Sequence, residues 1–300
     1  MTTFLGLAET VLRDGFIYGL MAMGVFVTYK ILDFPDLSVD GTFPLGACVT
    51  AALICAGVNP WLACLAALLA GALAGSVTGL LHVKFHITDL LSGILVMTAM
   101  WSVTLIITGK SAILQFFNKP TIFTYGPMQH LPQVLYQHRH ILVCLLLVVL
   151  VKLLLDWFLS TKYGLLLRGT GDNSQYIVSL GRDPGTIKIF GLALGNGLTA
   201  LAGSVLAQLG ENADVNAGKG MVVLALASVI IGTSIFHRVS FLKATTMAIL
   251  GAVLYKACLQ IALQLGLPPH YLKLLMAVLL TVALLSQRFY KKGGTMNART

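Results

Sequence analysis

"KILDFPDLSVDGTFPLGA", Lys30 to Ala47, places Asp33, Asp36 and Asp40 in one short stretch, although only 11 residues of the chain are acidic and long apolar runs lie on both sides. Pro35 lacks an amide donor and disfavours helix at Phe34, so Lys30 to Thr42 is expected to be a non-helical link between two apolar elements. A calcium loop needs D-x-[DN]-x-[DN]-G with a later glutamate, and spacings of three and four do not match it. Asp40 is placed to cap a helix beginning near Gly41, while Asp36 or Ser38 is placed to bond freed backbone groups.

Composition says what surrounds this link. The chain has 300 residues, 57% of them hydrophobic and 10% charged, with a mean hydropathy of +0.87. Soluble domains carry roughly a quarter charged residues, so this is an all-α polytopic membrane protein. Each crossing takes about 20 apolar residues, which leaves room for one membrane domain, 1–300, and no separate catalytic module. The irregular link then lies on the cytoplasmic side or is partly re-entrant, where such backbone is tolerated if it is buried in protein or lines a watery cavity.

The net charge of +9 does not point to nucleic acid, because the basic residues are scattered at the ends of apolar runs. Nine such runs lie at 15–32, 40–57, 60–82, 90–109, 140–160, 186–209, 220–236, 242–262 and 270–287, some of them short or broken. If they alternate, Lys162, Arg168, Arg182, Lys188, Arg238, Lys243 and a tail at 288–300 share one side, which the positive-inside rule makes cytoplasmic. The segment 1–14 and the segment from Lys110 to His140 then fall outside. Cys48, Cys55, Cys64, Cys144 and Cys258 all lie in apolar runs and read as small core residues. Gly71, Gly75 and Gly79, and likewise Gly191, Gly195 and Gly203, have the spacing that lets helix backbones approach closely in lipid.

Enzymatic motifs are weak. "TGKSA", Thr108 to Ala112, has Thr104 where a phosphate loop needs glycine. His82 and His86 share helical spacing with no third ligand, and read as a helix end near the interface. No metal or other cofactor is expected on this chain.

The segment 161–188 is polar. Asn173 to Leu180 reads as a short helix, with Gly171 and Asp172 at its start and Gly181 at its end. This run resembles the cytoplasmic loop of ABC importer permeases of the branched-chain amino-acid and ribose type, approximately G-x-x-x-R-A-x-G-x-N-x-x-A-A-x-x-x-G-I. Gly164, Arg168, Gly171, Asn173 and Gly181 stand at matching positions, whereas Tyr176 and Ile177 replace the alanine pair. "DLSV" from Asp36 and "GMVVLALASVIIG" from Gly220 are similar to further elements of the family. "ILDFPDLSVDGTF" with "LLSGILVMTAMWSV" resembles a subgroup tied to lipoprotein binding proteins and proposed for tryptophan, tyrosine or related amino acids. A sugar or a purine stays compatible.

The resemblance implies an importer permease in the bacterial inner membrane that moves a small solute by alternating access. It also implies a second permease copy, a substrate-binding lipoprotein outside, and a separate ATPase that carries the ATP and Mg chemistry. Arg168, Thr170, Gly171, Asp172, Asn173, Gln175, Tyr176 and Gly181 would then form the coupling helix and its flanks. Polar residues inside apolar runs are candidates for the path: Asp36, Ser38, Asp40, Ser92, Thr98, Asn196, Ser228, Lys256 and Gln260. Lys256, Gln260 and Gln264 share one helix face, and snorkelling at the outer interface accounts for Lys256 equally well. A secondary transporter driven by an ion gradient is the alternative class, and would need an acidic relay deep in the membrane.

Overall fold

The computed structural model describes residues 2–125, 138–239, 241–268 and 271–296. Each of the nine apolar runs holds a helix. The first five are α1 (Thr2–Val25), α2 (Val39–Cys55), α3 (Pro60–Val83), α4 (Asp89–Ile107) and α5 (Arg139–Ser160). Two short helices follow, α6 (Lys162–Asp172) and α7 (Ser174–Ser179), and then α8 (Pro184–Gly210), α9 (Met221–Ile235), α10 (Ala244–Gln264) and α11 (Leu272–Met296). Six spans among the described residues are long and apolar enough to cross a membrane: Gly6–Ile31 and the whole of α3, α4, α5, α8 and α10. The chain is an all-α integral membrane protein.

α1 continues as a π-helix over Phe26–Ile31 and then breaks. Residues 32–37 are irregular, with Leu32, Phe34 and Asp36 buried, so the break is enclosed by protein as lipid requires. α2 has 17 residues and α9 has 15. At 1.5 Å per residue each falls short of a ~30 Å hydrocarbon core. Both begin inside the bundle. Gly41, in the first turn of α2, lies against the backbone of Met97, halfway along α4, and the first turn of α9 is bonded to Asp40.

Two sets of four helices repeat the same contacts in opposite directions. α3 packs along α8 as α10 packs along α1; α2 packs on α3 and α4 as α9 packs on α10 and α11. α1 ends beside the α6–α7 loop, where Ile31 meets Gly171, whereas α8 starts from that loop. This is the inverted repeat of many transporter folds, with one half-length helix in each repeat.

Small residues make the seams. A side chain on Gly71 or Gly75 of α3 would run into the α8 backbone at Asn196 and Leu192, and one on Gly203 into Phe43 of α2. In the other repeat, Gly15 and Gly19 of α1 meet Val253 and Ile249 of α10. The glycine spacing therefore does what it predicts, bringing backbones together where no hydrophobic force acts between helices.

Several local expectations change. Asp40 lies inside α2, and its carboxylate serves α9 in place of its own helix. The helix predicted from Asn173 has a companion, α6, which ends at Asp172. α1 starts at Thr2 and α11 continues to Met296, so helix extends into both the 1–14 and 288–300 segments; 297–300 lie outside the described residues, as do 126–137 of the Lys110 to His140 segment. A two-stranded antiparallel pair, β1 (Ile113–Gln115) and β2 (Asn212–Asp214), closes the bundle end opposite α6 and α7. α3 ends at Val83 and His86 has a left-handed backbone, so His82 and His86 do not share a helix. Cys48, Cys64 and Cys144 are buried, while Cys55 and Cys258 are exposed.

Candidate functional site

The α1–α2 break reaches α8 through a fully buried polar cluster. Asp36 Oδ1 accepts the Ser38 amide at 2.8 Å and lies 2.6 Å from Ser38 Oγ. Its Oδ2 accepts Asn196 Nδ2 at 2.6 Å. The Asn196 carbonyl oxygen in turn accepts Thr42 Oγ1 at 2.8 Å and lies 3.0 Å from Ser38 Oγ, and Nδ2 also donates to Leu192 O at 3.1 Å. Ser38, Thr42 and Asn196 are 0% exposed and Asp36 is 5%. A buried carboxylate is tolerated only when its acceptors are filled. Here three sequence-predicted residues converge, and Thr42 joins them from one turn beyond Ser38 on the same helix face.

Asp40 stands one turn further into the bundle. Its Oδ2 accepts the Gly220 amide at 3.0 Å and its Oδ1 accepts the Val222 amide at 2.7 Å. Those amides start α9 and have no partner within their helix. A negative charge at that end also complements the positive end of the helix dipole. A cavity of about 280 Å³ opens beside Asp40, with Thr98 and Trp101 of α4 on its far wall.

The other path candidates do not join either cluster. The Ser92 hydroxyl donates to Asp89 O at 2.8 Å, and that of Ser228 to Leu224 O at 2.8 Å, both within their own helices. Lys256 sits 3.6 Å from Asp14 of α1 and 4.3 Å above the Tyr18 ring. It is a paired charge between α1 and α10, not a side chain reaching for the interface. Gln260 is half-buried one turn beyond it.

Three polar groupings were not anticipated. Arg13 pairs with Asp14 at 3.1 Å, and Asp14 in turn meets Lys256 of α10, so one charge of the expected outer segment lies in the α1–α10 seam. Asp156 pairs with Lys152 at 3.2 Å and Lys243 at 3.4 Å and accepts the Thr245 hydroxyl at 2.6 Å, locking α5 to the start of α10; its i,i+4 spacing from Lys152 was the available signal. Towards the β1–β2 end, Gln208 Nε2 donates to Cys64 Sγ at 3.0 Å while its Oε1 accepts the Ile122 amide at 2.9 Å.

At the other end of the bundle, Asn173 Oδ1 accepts the amides of Gln175 and Tyr176 at 3.1 and 3.4 Å and so caps α7. Ile177 is buried against α6, while Tyr176 and Val178 are 58% and 60% exposed. Gly181 ends the helix with a left-handed backbone, φ +70°. Thr170 is buried with its hydroxyl on Leu166 O, and Gly171 is pressed against Ile31. Asp172, Asn173, Gln175 and Tyr176 therefore face outward, whereas Thr170 and Gly171 hold the loop to α1. Asp183 begins α8 by accepting Gly185 and Thr186 amides at 3.0 Å each and the Thr186 hydroxyl at 2.7 Å. These three donors, the hydroxyl foremost, hold its carboxyl below the usual range.

Comparison with known proteins agrees with this architecture. A tyrosine transport system permease protein of Clostridioides difficile is 44% identical over 90% of this chain and 88% of its own length. An uncharacterised protein of Rickettsia prowazekii is 31% identical over 92% of this chain and 96% of its own. The ribose import permease protein of Bacillus subtilis is 29% identical over 74% and 66%. No solved structure matches the chain. Residues 7–284 match the family described as branched-chain amino acid transport system / permease component, and the chain belongs to that family of permeases.

Proposed function

We propose that this chain is the membrane permease of an ATP-driven importer that carries an amino acid, aromatic in the first instance, by alternating access. Membership of the permease family over residues 7–284 carries the reading, and the 44% identity to a tyrosine transport permease supports the substrate class. The inverted pair of half-length helices supports a path at mid-depth, where transporters of this build hold their solute.

α7 supplies the docking knob for a separate ATPase subunit. It is short, capped at both ends, and presents Tyr176 and Val178 beside Asn173 and Gln175. Movement of the ATPase reaches the bundle through Gly171 and Ile31, directly beneath the α1–α2 break. A second copy of the chain would complete the path, and a binding lipoprotein would deliver solute at the β1–β2 end. The basic residues around α6 and α7 support a cytoplasmic placement of the opposite end, where α6 and α7 lie. An ion-driven relay is disfavoured because Asp36 is engaged on both oxygens by Ser38 and Asn196 within the bundle.

Gentle solubilisation followed by co-purification tests the assembly. An ATPase recovered at equal ratio with the wild type, and lost with Y176A, is the expected result. A chain that purifies without an ATPase and moves solute alone in liposomes would sink the proposal.

A further inference from the structure

The cavity beside Asp40 has a chemistry that narrows the solute. Asp40 and Lys219 line it together, and no ion pair joins them. A carboxylate offers about four acceptor positions, so the amides of Gly220 and Val222 do not exhaust Asp40. Lys219 is exposed, on the segment that descends from β2 to α9. The remaining wall is apolar: Pro44 of α2, Met97 and Trp101 of α4, and Val215. Trp101 is 49% exposed within a helix that is itself mostly uncovered, so its ring is free to stack on a planar group. The Thr98 hydroxyl is turned to Ile94 O and Leu95 O.

Two opposite charges left apart at one wall, facing an aromatic ring and a thioether, suit a molecule that carries both charges and an apolar side chain. The hydroxyls of a sugar would bond Asp40 and Lys219 but would leave both charges without a counter-charge, which a zwitterion supplies. The depth is also suitable, since the cavity lies where α2 and α9 both begin and opposite the midpoint of α4.

We propose that the cleft between α2, α4 and the start of α9 is a solute subsite for a zwitterionic amino acid. Asp40 receives the ammonium group, Lys219 the carboxylate, and Trp101 with Met97 the apolar or aromatic side chain. The subsite rests on the reading of the chain as an amino-acid permease and adds to it the residues that choose the solute.

The test uses the full transporter, reconstituted with its ATPase and binding protein, and follows ATP-driven uptake of L-tyrosine, L-leucine and D-ribose by the wild type, K219Q, K219R, W101A and D40N. Uptake of the amino acid by K219Q is expected to fall about tenfold, the loss of one charge-assisted hydrogen bond, and to recover in K219R. W101A is expected to lower L-tyrosine uptake more than L-leucine uptake. D40N also weakens the start of α9, so if it does not fold, K219Q and W101A decide the matter. A wild type that carries amino acids while K219Q and W101A carry them equally well would overturn the subsite and leave the function standing. A wild type that carries D-ribose alone, or none of the three, would overturn the amino-acid permease reading itself.

Discussion

α2 and α9 are counterparts in the two inverted repeats, and their N-termini are held in different ways. The entry to α2 is satisfied locally: Asp36, Ser38 and Thr42 lie within seven residues of one another, and only Asn196 comes from elsewhere. The entry to α9 is satisfied from the opposite repeat, by Asp40, 180 residues away in sequence. One break is a sealed polar core; the other is a joint between the two halves, with a cavity alongside. In a protein that must switch between two arrangements, the sealed break is suited to move as a unit and the joint to change.

The largest expected effect lies in the sealed cluster. Asn196→Leu leaves the buried Asp36 carboxylate short of a donor and should cost about 3–5 kcal/mol, read as a lowered thermal unfolding midpoint and poor yield of monodisperse protein. A wild-type midpoint in N196L would show that the cluster is not the core of the break. At the joint, Asp40→Ala strands the Gly220 and Val222 amides, with a cost of roughly 2 kcal/mol. If D40A is as damaging as N196L, the distinction between core and joint fails.

Outside the bundle the effects should separate stability from coupling. Tyr176→Ala on exposed α7 should leave the unfolding free energy within about 0.5 kcal/mol of wild type, while the ATPase no longer co-purifies with the chain. Gly171→Leu should instead damage folding, because Ile31 leaves no room for it. The smallest effect is at Asp183, where alanine removes the α8 cap at a cost of about 1 kcal/mol or less. Its carboxyl titrates below the usual range in the folded chain. The stabilisation is therefore present above the unfolded value of about 3.9 and is lost as pH falls through the folded one. D183A and wild type should differ near neutrality and converge in strong acid.

The nine apolar runs, the break at Pro35 and the glycine seams were legible in the sequence because each depends on local composition or spacing. The convergence of Asp36 and Ser38 with Asn196 was legible only in part. Polar residues in apolar runs can be named as candidates, but which of them meet depends on the packing of α2 on α8. Asp40 shows the limit clearly. Its position at a helix start is a local signal, yet the helix it serves is set by the inverted repeat, and no spacing within 30–47 encodes that. Lys256 shows a related limit: a charge near the end of a run reads equally as interfacial until α1 brings Asp14 and Tyr18 beside it.

ATP-driven uptake in proteoliposomes tests the central claim most directly. With the ATPase and the binding protein present, the chain should accumulate L-tyrosine when ATP is inside the cytoplasmic-facing compartment, and should cease to do so when the ATPase is omitted. Accumulation that persists without ATPase or nucleotide and follows an imposed ion gradient would contradict the account.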